Sequence, residues 1–167
     1  MREEATGKIG TPSEERQKPE RPRDRLGRPL PWGATSELHL PDLDAMTLDE
    51  THEAGRRFAE EGNWFGAHEA WETAWKKARA TGDEEFYKGL SQMGAGYVHL
   101  LRGNAHGATT LLRRAAGRIG EYPDPHRGIS TAALAVALGS LARRVADGEV
   151  LPGDDAVFEA PPLTAGR

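Results

Sequence analysis

Gly62-Asn63-Trp64-Phe65-Gly66-Ala67 and, 41 residues further on, Gly103-Asn104-Ala105-His106-Gly107-Ala108 are two versions of one turn. A glycine can end one helix in the left-handed conformation, the asparagine side chain can accept from the first turn of the next, and the small Gly-Ala pair lets two antiparallel helices approach. Each copy therefore predicts a helical hairpin. The pairs resemble those of tetratricopeptide repeats, but the offset departs from that period of 34 and there are only two copies. Two related hairpins packed together, rather than a repeat array, is the expectation.

Working outward, Thr47-Leu48-Asp49-Glu50 has the spacing of a capping box and opens a first helix that Gly62 closes. Asn63 caps a second helix running to about Ala80, and Gly82 breaks it. A third runs from about Asp83 to Arg102 and a fourth from about Ala105 to Ile119, after which Pro123-Asp124-Pro125 forces a turn. Ser130 is placed to cap a fifth helix through Leu134, Leu138, Leu141 and Val145, which stops at Gly148. No segment among these alternates as a strand does. The fold class is all-α: a compact bundle of about five helices, built from two antiparallel hairpins plus a C-terminal helix and flanked by irregular tails.

The domain reading is an extended or partly disordered arm over 1–43, a helical domain over 44–148 and a disordered tail over 149–167. The arm is charged and proline-broken, as expected of a segment unable to bury its own surface. Within it, Arg23 to Gly33 holds two leucines and a tryptophan among turn residues, so this piece either packs across the helical body or stays flexible.

Composition narrows the classes. The chain has 167 residues, 37% of them hydrophobic, enough for one domain with a modest core. A net charge of −4, with both signs mixed along the chain, gives no general attraction to nucleic acid or an anionic membrane. Without cysteine there are no disulfides or thiolate metal sites, and a cytoplasmic location is the plain expectation. The first thirty residues contain no apolar run suited to a signal peptide, and Ala132–Leu138 is too short to span a bilayer. Walker, Gly-x-Ser-x-Gly and dinucleotide-binding patterns are absent.

Chemistry concentrates on the second helix. His68 and Glu72 are four apart and so adjacent on one face, able to share a proton or a metal ion. Trp64, Trp71 and Trp75 mark the buried stripe, which places both ionisable groups where water is scarce and where a charge needs a partner. The third helix is apolar nearly all round. Phe86, Leu90, Met93, Tyr97 and Leu100 fill one side, while Gln92 and His99 lie on the other with Lys88 one turn earlier. If that second side meets the second helix, His99 and Gln92 converge on His68 and Glu72, with Trp71, Trp75, Gln92 and Lys88 lining the site. His68, Glu72 and His99 then form an N/O ligand set suited to Zn, Mn, Fe or Ni, with positions left for water or substrate. Glu69 or Glu72 could act as base toward a metal-activated water. His52 on the first helix could add a ligand, whereas His39, His106 and His126 read as surface groups.

His68-x-x-x-Glu72-x-x-Trp75, followed by Gly89-Leu90-x-Gln92 and then His99-x-x-x-Gly103-Asn104-x-x-Gly107-Ala108, resembles a bacterial and archaeal family known as domain of unknown function number 309. The resemblance covers about Leu48 to Tyr122. It implies an all-helical fold and a metal-binding role for the motif, carried here by His68, Glu72 and Trp75, with no established reaction. Ser91 stands where an apolar residue is common in that family, a difference expected to touch packing more than the site.

Three functions compete on these grounds. The first is a metal-binding helical protein, extending to a metal-dependent hydrolase. The second is a non-catalytic interaction module in which His68 and Glu72 form a structural pair. The third is a metal-free binder of an anionic or polar small molecule through His68, Glu72, Gln92 and Lys88. A small molecule, another protein or a second copy of the chain are the partners these allow.

Overall fold

A computed structural model describes residues 19–164. Five α-helices follow a short 3₁₀ turn at Leu43–Ala45: α1 (Leu48–Glu60), α2 (Trp64–Lys77), α3 (Glu84–Leu101), α4 (Ala105–Ile119) and α5 (Thr131–Ala146). The principal helix contacts run α1 with α2, α2 with α3, α3 with α4 and α4 with α5, so each helix packs on its neighbours in sequence. This is the all-α bundle of two hairpins and a C-terminal helix.

The boundaries follow from local chemistry. The capping box at α1 is complete, with the Glu50 amide donating to the Thr47 hydroxyl and the Thr47 amide to the Glu50 carboxylate. At the two Gly-Asn turns, Gly62 and Gly103 have φ of 74° and 85°, and Asn63 and Asn104 accept from the amides of Gly66 and Gly107, each at 2.9 Å. The duplicated turn thus has one geometry in both places. Two boundaries differ from the expectation. α2 stops at Lys77 rather than about Ala80, because Ala78 already leaves the helix and Ala80 takes a φ of 60°. Ser130 occupies the N-cap of α5 without a side-chain cap bond. The hydroxyl of Thr131 instead donates to the carbonyls of Tyr122 and Pro123, tying α5 to the loop before it.

α3 is the inner helix. Phe86, Leu90, Met93, Tyr97 and Leu100 are at most 1% exposed, and burying side chains of this size contributes about 1.5–3 kcal/mol each. Its close approach to α2 depends on Gly94, where an added Cβ would stand 2.8 Å from the backbone nitrogen of His68. On the opposite side, Gly96 faces Leu112 of α4.

The described parts of both tails are packed. In the arm, Leu26 and Leu43 are buried, Phe65 lies over Gly27, and the Arg102 guanidinium donates to the Leu26 carbonyl. Trp32 remains exposed, with the Arg21 guanidinium over its ring. The stretch 149–164 reads from its prolines as disordered, but Val150 and Leu163 are buried, the Gly153 amide donates to the Leu100 carbonyl, and Phe158 packs on Tyr97. Apolar residues spaced between the prolines supply that anchorage. The expectations for 1–18 and 165–167 lie outside the described residues.

Candidate metal centre

His68 is held from behind by α3. Its Nδ1 lies 3.0 Å from the Ser91 carbonyl oxygen and 3.0 Å from the Ser91 hydroxyl. A carbonyl can only accept, so Nδ1 carries the proton and, in the neutral ring, Nε2 carries the lone pair. That lone pair faces Glu69 at 3.8 Å and Glu72 at 3.7 Å. These separations exceed a hydrogen bond, so no structural His–Glu hydrogen bond exists here. Among the described residues, His68, Glu69 and Glu72 form the group whose ligand atoms all lie within 4.8 Å of one another.

The chemistry of this group is that of a cation site. Two carboxylates and an imidazole lone pair converge, and among the described residues no side chain donates a hydrogen bond to either carboxylate. Such a set of oxygen and nitrogen donors is one that a metal cation can occupy. With their donor atoms all within 4.8 Å of one another, His68, Glu69 and Glu72 would be the residues to hold such an ion. The donors suit a divalent ion, and the carbonyl-anchored imidazole is the outer support that metal-binding histidines ordinarily have. All three residues are half-buried, closer to water than the tryptophan stripe suggests.

Other expected site residues are distributed around the bundle. The side of α3 carrying Gln92 and His99 meets α4, not α2. Gln92 accepts from Arg118, and the His99 ring packs at Gly107. The Asn104 amide nitrogen donates to His99 Nδ1 at 3.0 Å, and this amide is oriented by the Gly107 bond to its oxygen. Neutral His99 therefore carries its proton on Nε2. Burial, with the charges of Arg102 and His68, lowers its pKa. It lies near His68 but outside the three-residue group. Trp71 is fully buried against α1, over Gly55, whereas Lys88 does reach the α2 side, its ammonium 5.2 Å above the Trp75 ring.

His52 belongs to a separate structural contact. Its Nδ1 accepts from the Trp71 indole and its Nε2 donates to the Arg127 carbonyl, so both nitrogens are engaged in the core. Burial lowers its pKa despite the carbonyl contact. His126, expected at the surface, pairs with Asp83 at 2.6 Å, whereas His39 and His106 are exposed.

Glu69 and Ser91 are the residues that spacing underrated. Glu69 also lines a cavity of about 810 Å³ between α2 and the N-terminal arm, where Phe65, Glu69 and Thr73 form one wall.

Fold and cluster together define a class: an all-helical protein with a half-buried His/Glu group able to coordinate a divalent metal. Residues 52–111 match the model of the family described as Domain of unknown function (DUF309), a narrower span than the motif resemblance but one that contains α2, α3 and the whole group. Neither the curated proteins nor the solved structures provide a significant match.

Proposed function

We propose that this protein binds a divalent metal ion through His68 Nε2 and Glu72, with Glu69 beside it as the base, and uses the site for hydrolysis. The observation that supports this reading most is the Ser91 carbonyl at 3.0 Å from His68 Nδ1, which turns the lone pair of the neutral ring toward two carboxylates. When bound, the ion would supply Lewis acidity and lower the pKa of a coordinated water. Glu72, one helical turn from His68, is the firmer ligand. Glu69 also faces the cavity, and so is the carboxylate placed to accept a proton from water. His99, with its proton on Nε2, is a neighbouring donor rather than a direct ligand.

Titration calorimetry with Zn and Mn on untagged protein tests the binding. Wild type should bind one equivalent, His68→Ala and Glu72→Gln should lose about tenfold or more in affinity, and Glu69→Gln should keep most of it. Equal binding by wild type and both ligand variants would overturn the reading. For the hydrolytic step, Glu69→Gln should retain metal but lose turnover of whichever ester, phosphoester or peptide substrate the wild type cleaves in a screen.

A further inference from the structure

The cavity between α2 and the arm has opposite charge at its two ends. The arm runs alongside α2. Gly27 packs under Phe65 at the start of the helix, and the Asp44 carbonyl accepts from Lys77 at its end. Arg21 and Arg23 line the cavity, and Arg23 is tied by Nη1 to the Gly27 carbonyl, which places it at the Phe65 end. Asp42 and Asp44 line it near the Lys77 end. Among the described residues, none of these four side chains makes an ion pair. Glu20, also on the wall, offsets part of the charge of the two arginines, and Lys77 offsets part of that of the two aspartates. Each end is left with about one charge. Glu69 stands between them, on the line Phe65, Glu69, Thr73.

From this layout we infer that the cavity binds a zwitterion of short-peptide size, its carboxylate toward Arg21 and Arg23 and its ammonium toward Asp42 and Asp44. A volume of about 810 Å³ accommodates such a molecule. The α2 wall of the cavity, from Phe65 to Thr73, rises about 12 Å over eight residue steps, a length that suits a tripeptide better than a single amino acid. The middle of the ligand, including its peptide bonds, then lies against Glu69. The inference rests on the metal-site reading for any cleavage of that ligand, but not for its binding.

The test follows amide shifts of isotope-labelled full-length protein titrated with trialanine, N-acetyl-trialanine and trialanine amide, each with EDTA and again with Zn. Trialanine should shift the amides of Arg23, Asp44, Glu69 and Thr73 with EDTA present, and blocking either terminus should weaken binding by about tenfold, as loss of one charge contact does. Arg21→Gln/Arg23→Gln should remove the preference for a free carboxylate, and Asp42→Asn/Asp44→Asn the preference for a free amine. The blocked ligands use wild-type protein, so the outcome survives a variant that folds poorly. No shifts at the cavity, or equal binding of all three peptides, would overturn the inference. Peptide binding without metal binding would overturn only the metal reading, and the reverse only this one.

Discussion

His68, His52 and His99 have their neutral tautomers dictated by their hydrogen-bond neighbours, and the tautomers differ. His68 faces a carbonyl through Nδ1 and carries its proton there, whereas His52 and His99 accept at Nδ1 and carry theirs on Nε2. Long-range nitrogen–proton correlation spectra above pH 7 should show one Nδ1–H ring and two Nε2–H rings at these positions. An Nε2–H signal for His68 would remove the basis for its lone pair facing the carboxylates. Ser91→Ala keeps the carbonyl but loses the hydroxyl contact, and should weaken metal binding by up to about tenfold. His52 makes a different prediction. Its folded pKa is depressed by burial, so below its unfolded value near 6.5 the unfolded chain takes up the proton that the native state resists. Its stabilising effect is present in full above that pH and declines on acidification toward the depressed folded value, at no more than about 1.4 kcal/mol per pH unit. Urea midpoints of wild type should therefore fall between pH 7 and pH 5, and the His52→Gln variant should show a shallower fall.

At the scale of elements, the crossing of α2 and α3 at Gly94 joins packing to the site. A Cβ there would strike the backbone of His68 at 2.8–2.9 Å, where no rotamer change can relieve the contact. Gly94→Ala should cost about 1–3 kcal/mol in urea unfolding and lower metal affinity as well, because it moves His68 away from Ser91. The duplicated caps give a paired comparison. Asn63→Ala and Asn104→Ala should each cost about 1 kcal/mol, yet only the second releases His99 Nδ1 and should shift the titration of that ring. These elements also show what was legible beforehand. The Gly-Asn turns gave the hairpins because a left-handed glycine and a capping asparagine act within a few residues, and the four-residue spacing gave His68 and Glu72 for the same reason. The rotation of α3 was not legible, since Gln92 and His99 meet α4 for a reason that lies in which glycines face which helix. Ser91 and Gly94, three apart and small, mark the face toward α2, and this was the available signal. Glu69 was underrated as a ligand because adjacent helical residues diverge, although the length of a glutamate brings its carboxylate back.

Across the whole molecule, Arg127 connects parts distant in sequence. It sits at φ 48° in the loop between α4 and α5, with its guanidinium on Asp83 and Asp49 and its carbonyl on His52. Burial opposes ionisation of Asp83, but hydrogen bonds from His126 and Arg127 prevail and hold its pKa below the ordinary value. Arg127→Ala loses the clamp and keeps the strained backbone, whereas Arg127→Gly loses the clamp and removes the strain. Thermal unfolding should therefore rank wild type above the glycine variant and the glycine variant above the alanine one, the last two separated by about 1 kcal/mol. No helix among the described residues is long and apolar enough to cross a membrane. The order of helix contacts has a kinetic consequence. Because α1 to α5 each pack mainly on the next helix in sequence, most of the bundle can assemble through short loop closures, and chains of that kind reach the native state in microseconds to milliseconds. Among the longest-range contacts are those of Arg127 with His52 and Asp49 and that of the arm's Leu26 with Arg102, each joining residues more than seventy apart. They are the contacts expected to form last and to open first, so the chamber beside Glu69 would be the final part of the molecule to take shape as it folds.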